Sequence, residues 1–231
     1  IDHRENFNLR IGALTPIHSI RTSRPINAKY SGLARAAKAI GSVQLSHMGT
    51  LGGNLCLDTR CWYYNQPIFL RKVRPVCLKM GGDICNVSKK SDRCFAIYSG
   101  DLAPILIALG AEIKLLSTRG ERIVPLRDFY TGDGARPTII ELDEILVEVQ
   151  VPFSSSNYGA YFKYRLRNGI DFPLASVAVV LKIEDRVCRE AKMVLGAVNT
   201  RPIEIEELER IFLRKKIDDD MIETASQKAY N

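Results

Sequence analysis

The 231-residue chain contains no apolar run approaching the roughly 18 residues that a membrane helix needs, so no bilayer span is expected. Ile1 is not followed by a charged segment and then an apolar one, the pattern of a secretory signal, and a cytoplasmic protein is expected. The six cysteines include no pair two to four residues apart, the way zinc sites usually gather their ligands. Bacterial ferredoxin spacing is absent too. No internal repeat or low-complexity tract is visible, and no catalytic triad or acid/base dyad stands out.

What the chain does have is concentrated in one place. With 46% hydrophobic residues it can bury a good core, as one domain or two small ones. Its net charge of +7 comes almost wholly from the stretch between Arg60 and Cys94. There, eight basic residues (Arg60, Arg71, Lys72, Arg74, Lys79, Lys89, Lys90, Arg93) stand against two acidic ones (Asp83, Asp92), a difference of +6. The surrounding segment opens with Thr50-Leu51-Gly52-Gly53-Asn54 and closes with Ser99-Gly100-Asp101. It holds five of the six cysteines: Cys56, Cys61, Cys77, Cys85 and Cys94. Adjacent glycines let backbone approach a ligand closely. The rest of the segment lacks a long helical or strand period and reads as an irregular excursion, of a length uncommon unless it is functional or disordered.

Cytosolic cysteines are more often metal ligands or catalysts than disulfides, and thiolates are favoured by nearby Lys and Arg. The intervals Cys61 to Cys77, sixteen, Cys77 to Cys85, eight, and Cys85 to Cys94, nine, are compatible with an iron-sulfur cluster, a loose zinc site or incidental cysteines. A basic loop carrying Trp62, Tyr63, Tyr64 and Phe69 has the stacking platforms of a nucleic-acid binder. That reading leaves the cysteines without a role, so nucleic acid is not expected as a partner. Cys188 reads as a small buried hydrophobe.

Taken in order, Leu9 to Leu14 reads as a strand ending at Thr15-Pro16, a helix start. Helices follow at 16–22 and 30–40, the second with an apolar face of Leu33, Ala36, Ala37 and Ile40. His47, beside the glycine turn, reads as structural. Asp101 reads as the cap of a helix running to Leu109 and ended by Gly110. Residues 112–116 and 122–124 form a hairpin, and 145–151 is the clearest alternating strand. Ser154 to Asn157 reads as a linker. Beyond it, strands at 160–165, 175–183 and 187–198 precede helices at 205–215 and 219–229, with Asp218 or Asp219 capping the last.

Four phrases carry a resemblance: Thr50-Leu51-Gly52-Gly53-Asn54-Leu55, Ser99-Gly100-Asp101-Leu102-Ala103-Pro104, Asp143-Glu144-Ile145-Leu146 and Tyr161-Phe162-Lys163. In this order the chain resembles the FAD-binding subunit of the molybdenum hydroxylase (xanthine dehydrogenase) family. The cysteine excursion, with Cys61-Trp62-Tyr63-Tyr64-Asn65-Gln66, resembles the insertion in the β subunits of 4-hydroxybenzoyl-CoA reductases. The resemblance implies an α+β fold. An FAD-binding (PCMH-type) subdomain would occupy 1–153, with an iron-sulfur insertion at about 56–98. A small domain of three-stranded antiparallel sheet with helices would occupy 158–231.

By the same resemblance, Thr50, Leu51, Gly52, Gly53 and Asn54 would meet FAD chiefly through backbone amides. Asp101 would hydrogen-bond the cofactor, and Leu146 would offer backbone contacts near the flavin ring. Lys163 would place positive charge beside that ring, and Ile40 falls where relatives can carry an aromatic. Cys61, Cys77, Cys85 and Cys94 would hold a 4Fe-4S cluster. The implied role is electron relay, with no catalytic residue of its own, in a complex that removes a phenolic hydroxyl from an aromatic acyl-CoA. Its partners would be a molybdenum-pterin large subunit, a small subunit with two 2Fe-2S clusters and a reduced ferredoxin-like donor. The family's N-terminal lobe, whose glycine-rich loop cradles the FAD pyrophosphate, would precede Ile1. A separate chain supplying it, a truncated sequence and a subunit that keeps only its cluster are the alternatives. A zinc-stapled scaffold is the competing class.

Overall fold

The structure, a computed structural model, describes residues 1–2, 8–153 and 157–230. Strand β1 (Leu9–Gly12) leads into five short helices: α1 (Ile17–Thr22), α2 (Arg24–Lys29), α3 (Ser31–Ala39), α4 (Val43–Met48) and α5 (Leu51–Leu55). The cysteine excursion contributes α6 (Ile68–Arg71) and one turn of 3-10 helix, after which α7 (Leu102–Ala108) re-enters the core. Then come β2 (Glu112–Ser117), β3 (Gly120–Pro125), β4 (Tyr130–Asp133), β5 (Arg136–Thr138) and β6 (Ile145–Val151). The chain ends with β7 (Asn157–Tyr164), β8 (Ala175–Glu184), β9 (Val187–Gly196), β10 (Ile203–Glu204), α8 (Glu207–Phe212) and α9 (Asp219–Tyr230).

Two four-stranded sheets form the frame, ordered β1-β6-β2-β3 and β10-β9-β8-β7. In the first, alternation decides the buried face: Leu9 lies opposite Val151 and Ile11 opposite Val149, and all four are fully buried. Helix α7 is apolar all round, and every one of its residues is buried. It packs against both β8 and β9 as well as α3. One apolar cluster therefore runs from Leu9 and Ile113 through α7 to Ala178 and Val194. Helix α3 closes on β7 at two glycines, since a Cβ on Gly32 would lie 3.0 Å from the Gly159 carbonyl carbon. The Ser31 hydroxyl donates to the Gly159 carbonyl there at 2.9 Å. A smaller cluster of Cys188, Ala191, Leu208, Phe212 and Ala225 fixes α8 and α9 on β9.

This α+β arrangement agrees with the expected class, and Cys188 is fully buried as expected. Asp218 caps α9, its carboxylate accepting from the Met221 amide at 2.9 Å. The expected three-stranded sheet gains a short fourth strand, β10, paired to β9. Helix α8 is shorter than its pattern, because Leu213 leaves the helical region after Phe212. Residues 154–156 of the expected linker lie outside the described residues, and Asn157 already belongs to β7. Among the described residues no helix is long and apolar enough to cross a membrane.

Candidate functional site

The glycine turn is not an open loop. Thr50 takes the N-cap of α5, its hydroxyl accepting from the Gly53 amide at 3.1 Å. The Leu51 amide donates to the Thr15 carbonyl (3.0 Å), the Gly52 amide to the Ala13 carbonyl (2.8 Å) and the Asn54 amide to the Thr50 carbonyl (3.0 Å). The amides of residues 51–54, expected to meet a cofactor, are thus committed within the chain. The physical reason is that a helix forms here and its first turn is tied to the end of β1. Gly52 is required by close approach: a Cβ on it would lie 3.0 Å from Ala13 Cβ and 3.1 Å from the Ala13 carbonyl. Gly53 faces outward, where a Cβ would meet only the Thr50 hydroxyl at 3.1 Å.

Asn54 connects this turn to the second motif. Its side-chain oxygen accepts from the Leu102 amide at 2.9 Å and so performs the capping of α7 expected of Asp101. Asp101 has helical dihedrals (φ −75°, ψ −27°), makes no capping bond and turns its carboxylate inward. Tyr161 donates to Oδ1 at 2.6 Å, and Lys163 Nζ donates to Oδ2 at 3.0 Å. The Asp101 and Lys163 side chains are only 6% and 3% exposed, so this is a buried ion pair. Burial pushes the Asp101 carboxyl above its ordinary value, although Lys163 and Tyr161 pull it down. Burial, reinforced by the Asp101 charge, pushes the Tyr161 hydroxyl up as well. An ammonium has three donors, and a second one from Lys163 reaches the Ala39 carbonyl at 3.3 Å.

The remaining expected residues belong to the same neighbourhood. Ile40 follows Ala39 as the C-cap of α3 and packs, half-buried, against the main core. Leu146 is also half-buried against that core. Beside it, β6 bulges where its pairing to β2 skips Val147, and the freed Val147 carbonyl accepts from Ala13 N at 2.7 Å. Hydrogen bonds thus link Val147, beside Leu146, to Ala13, Ala13 to Gly52, Asn54 to Leu102, beside Asp101, and Asp101 to Lys163, which also reaches Ala39, beside Ile40. His47, as a structural residue, stacks on His18 with ring centroids 3.8 Å apart.

Sequence reasoning gave Tyr161 no role. The period of two in β7 places it on the same face as Lys163, which is the signal that finds it. It also missed Tyr98 and Tyr130, both buried. The Tyr98 hydroxyl bonds the Asn54 and Leu55 carbonyls (3.0 and 3.1 Å) and the Tyr130 hydroxyl (3.0 Å). Burial pushes both hydroxyls above their ordinary range.

The four cysteines do not converge as expected. Cys77, Cys85 and Cys94 are buried, Cys61 is half-buried, and all are free thiols. Among the described residues no group of three or more His, Cys, Asp or Glu is placed to hold a metal ion. As arranged, the four thiols do not share a centre, so a cluster or a zinc staple held by them requires the excursion to close around it. Two of the sulfurs, those of Cys85 and Cys94, have distinct local surroundings. Burial pushes the Cys85 thiol up, but backbone hydrogen bonds from Phe95, Ser88 and Val87 outweigh it and hold it below its ordinary value. Cys94 is pushed up by burial, with Cys85 adding to the effect. Its amide is tied to Asp133 at 3.1 Å.

The family can be stated. The sequence model described as FAD binding domain in molybdopterin dehydrogenase matches residues 2–154. That described as CO dehydrogenase flavoprotein C-terminal domain matches residues 160–231. The chain belongs to this family of flavoprotein subunits of molybdopterin-type dehydrogenases.

It is similar to the glyceraldehyde dehydrogenase medium chain of Sulfolobus acidocaldarius, 27% identical over 218 residues, covering 94% of this chain and 63% of that one. It is also similar to the aldehyde oxidoreductase FAD-binding subunit PaoB of Escherichia coli, 31% identical over 207 residues, covering 86% of this chain and 64% of that one. The fold matches carbon monoxide dehydrogenase from Hydrogenophaga pseudoflava with a TM-score of 0.73 and 24% identity, over 98% of this chain and 65% of that one. The chain thus spans a little under two thirds of the length of these relatives.

Proposed function

We propose that this chain is the flavin-holding, electron-relaying subunit of a molybdenum hydroxylase-type dehydrogenase complex. The observation that carries the reading is the buried Tyr161–Asp101–Lys163 network, set beside the Asn54-capped start of α7 in a chain of this family. FAD, when bound, links two-electron chemistry to one-electron carriers. Lys163 supplies a fixed positive charge held in a buried site, where it favours the electron-rich form of a neighbouring ring. Asp101 holds that ammonium in place, and Tyr161 holds Asp101. The Asn54 side chain fixes α7, and with it Asp101, relative to the glycine turn. Ile40 and Leu146 supply apolar surface at its edges.

The finer reading concerns the complex. It comprises a molybdenum-pterin large subunit, a small subunit with two 2Fe-2S clusters and a reduced ferredoxin-like donor, all in the cytoplasm. Its reaction is reductive dehydroxylation of an aromatic acyl-CoA, with a 4Fe-4S cluster on Cys61, Cys77, Cys85 and Cys94. What supports this is the set of cysteine intervals, together with the burial of three of the four thiols in a strongly basic loop.

The test is cofactor analysis of the complex isolated anaerobically with its partner chains. A yellow chromophore released by heat and lost in Lys163→Met supports the flavin reading, whereas a complex with molybdenum but no flavin refutes it. Iron and acid-labile sulfide that disappear in Cys77→Ser support the cluster. Zinc in their place, or a metal content unchanged by that substitution, refutes it.

A further inference from the structure

We infer that a groove between the cysteine excursion and the segment after β7 binds a planar aromatic anion. The groove measures about 470 Å³, within the usual range for small-ligand sites. Its walls are Trp62, Ile97, Phe172 and Leu174, with Arg60 and Ser99 as its chief polar members. None of the residues assigned above to flavin lines it, while Cys61, assigned above to the cluster, does.

Three observations point to the ligand. First, the Ser99 hydroxyl is buried, on a residue only 6% exposed, and has no hydrogen-bond partner among the described residues. A buried unpaired hydroxyl is costly, and Ser99 is among the residues that line the groove. Second, the Arg60 guanidinium lies 4.7 Å from the centroid of the Phe172 ring. No carboxylate is among the groove's lining residues, so Arg60 carries the one formal charge of its lining and favours an anion there. Third, Trp62 is 78% exposed and Phe172 45%. Large flat rings left open to water beside a cation are the surface on which an aromatic ring stacks. The ring would lie against Trp62 and Phe172, its acidic group would meet Arg60, and an acceptor atom would take the Ser99 hydrogen.

The chain's single tryptophan lies in this groove, so its fluorescence reports occupancy directly. The test titrates anthraquinone sulfonate into the full chain, free and loaded with FAD, with hydroxymethyl anthraquinone as the neutral comparator. Calorimetry on Trp62→Phe checks that quenching follows binding. Saturable quenching is expected, at least tenfold tighter for the anion than for the neutral ring. Binding should weaken at least tenfold in Arg60→Gln, weaken severalfold in Ser99→Ala, and stay unchanged when FAD is present. Circular dichroism confirms that both variants fold. The inference is overturned by an absence of saturable binding, by equal affinity for the neutral ring or by full affinity in Arg60→Gln. It is overturned equally by loss of binding on FAD loading, which would assign the groove to the cofactor.

Discussion

Replacing Lys163 with Met leaves the Asp101 carboxylate buried with one hydrogen bond, from Tyr161, and only the weaker pull of Arg165 opposing its charge. Breaking a buried ion pair by removing one partner typically costs about 3–5 kcal/mol. Tyr161 remains, and the carboxyl can take up a proton, so the lower end applies: about 3 kcal/mol at neutral pH. For a chain of this size, 1 kcal/mol shifts the melting temperature by roughly 2–4 °C, so a fall of roughly 6–12 °C is expected. Urea denaturation with Asp101→Asn and the double variant completes the cycle. A neutral amide facing a thioether leaves no stranded charge, so the double variant should be less destabilised than the sum by about 2 kcal/mol.

The pH dependence has a definite sign. Asp101 is raised above its ordinary value in the folded state, so folding favours its protonated form more than the unfolded chain does. The stability it contributes is present below the ordinary carboxylate pKa and is lost as pH rises through the folded value. Without Lys163 that value rises further, and the gap between variant and parent should narrow as the pH is lowered. A Lys163→Met protein within about 1 kcal/mol of the parent, additive with Asp101→Asn and indifferent to pH, would refute the buried-pair account.

Other substitutions probe the same neighbourhood. A Cβ on Gly100 would lie 2.7 Å from the Asn54 carbonyl and closer still to the Tyr98 ring. Gly100→Ala should therefore cost about 3 kcal/mol or fail to fold, whereas Gly53→Ala should stay within about 1 kcal/mol in the same melting assay. Asn54→Ala removes the side-chain bond to the Leu102 amide and should cost about 1 kcal/mol in urea denaturation. Glu144 accepts two bonds from Arg122, both 2.7 Å, which hold its carboxyl down at about 2. Its contribution is present above the ordinary carboxylate pKa and lost as pH falls from there through about 2, so Glu144→Gln should flatten the acid limb of a melting-temperature profile. Lys79, with a side chain 6% exposed, bonds Asp58, Thr59 and the Gly134 carbonyl. In Lys79→Met, hydrogen exchange should accelerate within the excursion and stay unchanged in α7 and β6.

The elements that could be read from the sequence were those whose side-chain period matches their burial. Strand β6, the hairpin of β2 and β3, helix α3 and the long strands β8 and β9 all follow that rule. Helices α2 and α4, of six residues each, were missed because a helix of fewer than two turns shows no period. The Asp101 assignment failed for a tertiary reason. Asp before an apolar helix is a strong capping signal, but Asn54, far back in the chain, takes that amide and frees the carboxylate for Lys163. Local rules cannot see a competitor 48 residues away. The convergence of the cysteines was equally beyond spacing, which fixes how far thiols can reach and not what else holds them.

The excursion's own construction explains how a chain can carry so irregular a segment without disturbing the motifs on either side. Arg60 and Ile97 pair across its neck, with N–H to carbonyl distances of 2.8 and 2.7 Å in the two directions. Everything from Cys61 to Ala96 is therefore a closed ring, and its ordering entropy is confined beyond the neck. On the core side of the neck, Tyr98 bonds the Asn54 and Leu55 carbonyls and locks the two motifs together independently of the ring. Within the ring, order comes from attachment to the turn between β4 and β5. The Gly134 amide donates to the Cys94 carbonyl at 2.8 Å, and the Gly134 carbonyl accepts from Lys79 and Thr59. Excising residues 61–96 and rejoining the neck should thus leave the Tyr161–Asp101–Lys163 network and α7 intact. The shortened chain should bind flavin as the parent does when its partner chains are present. Loss of flavin from a folded, ring-deleted chain would show that the excursion supports the cofactor site after all.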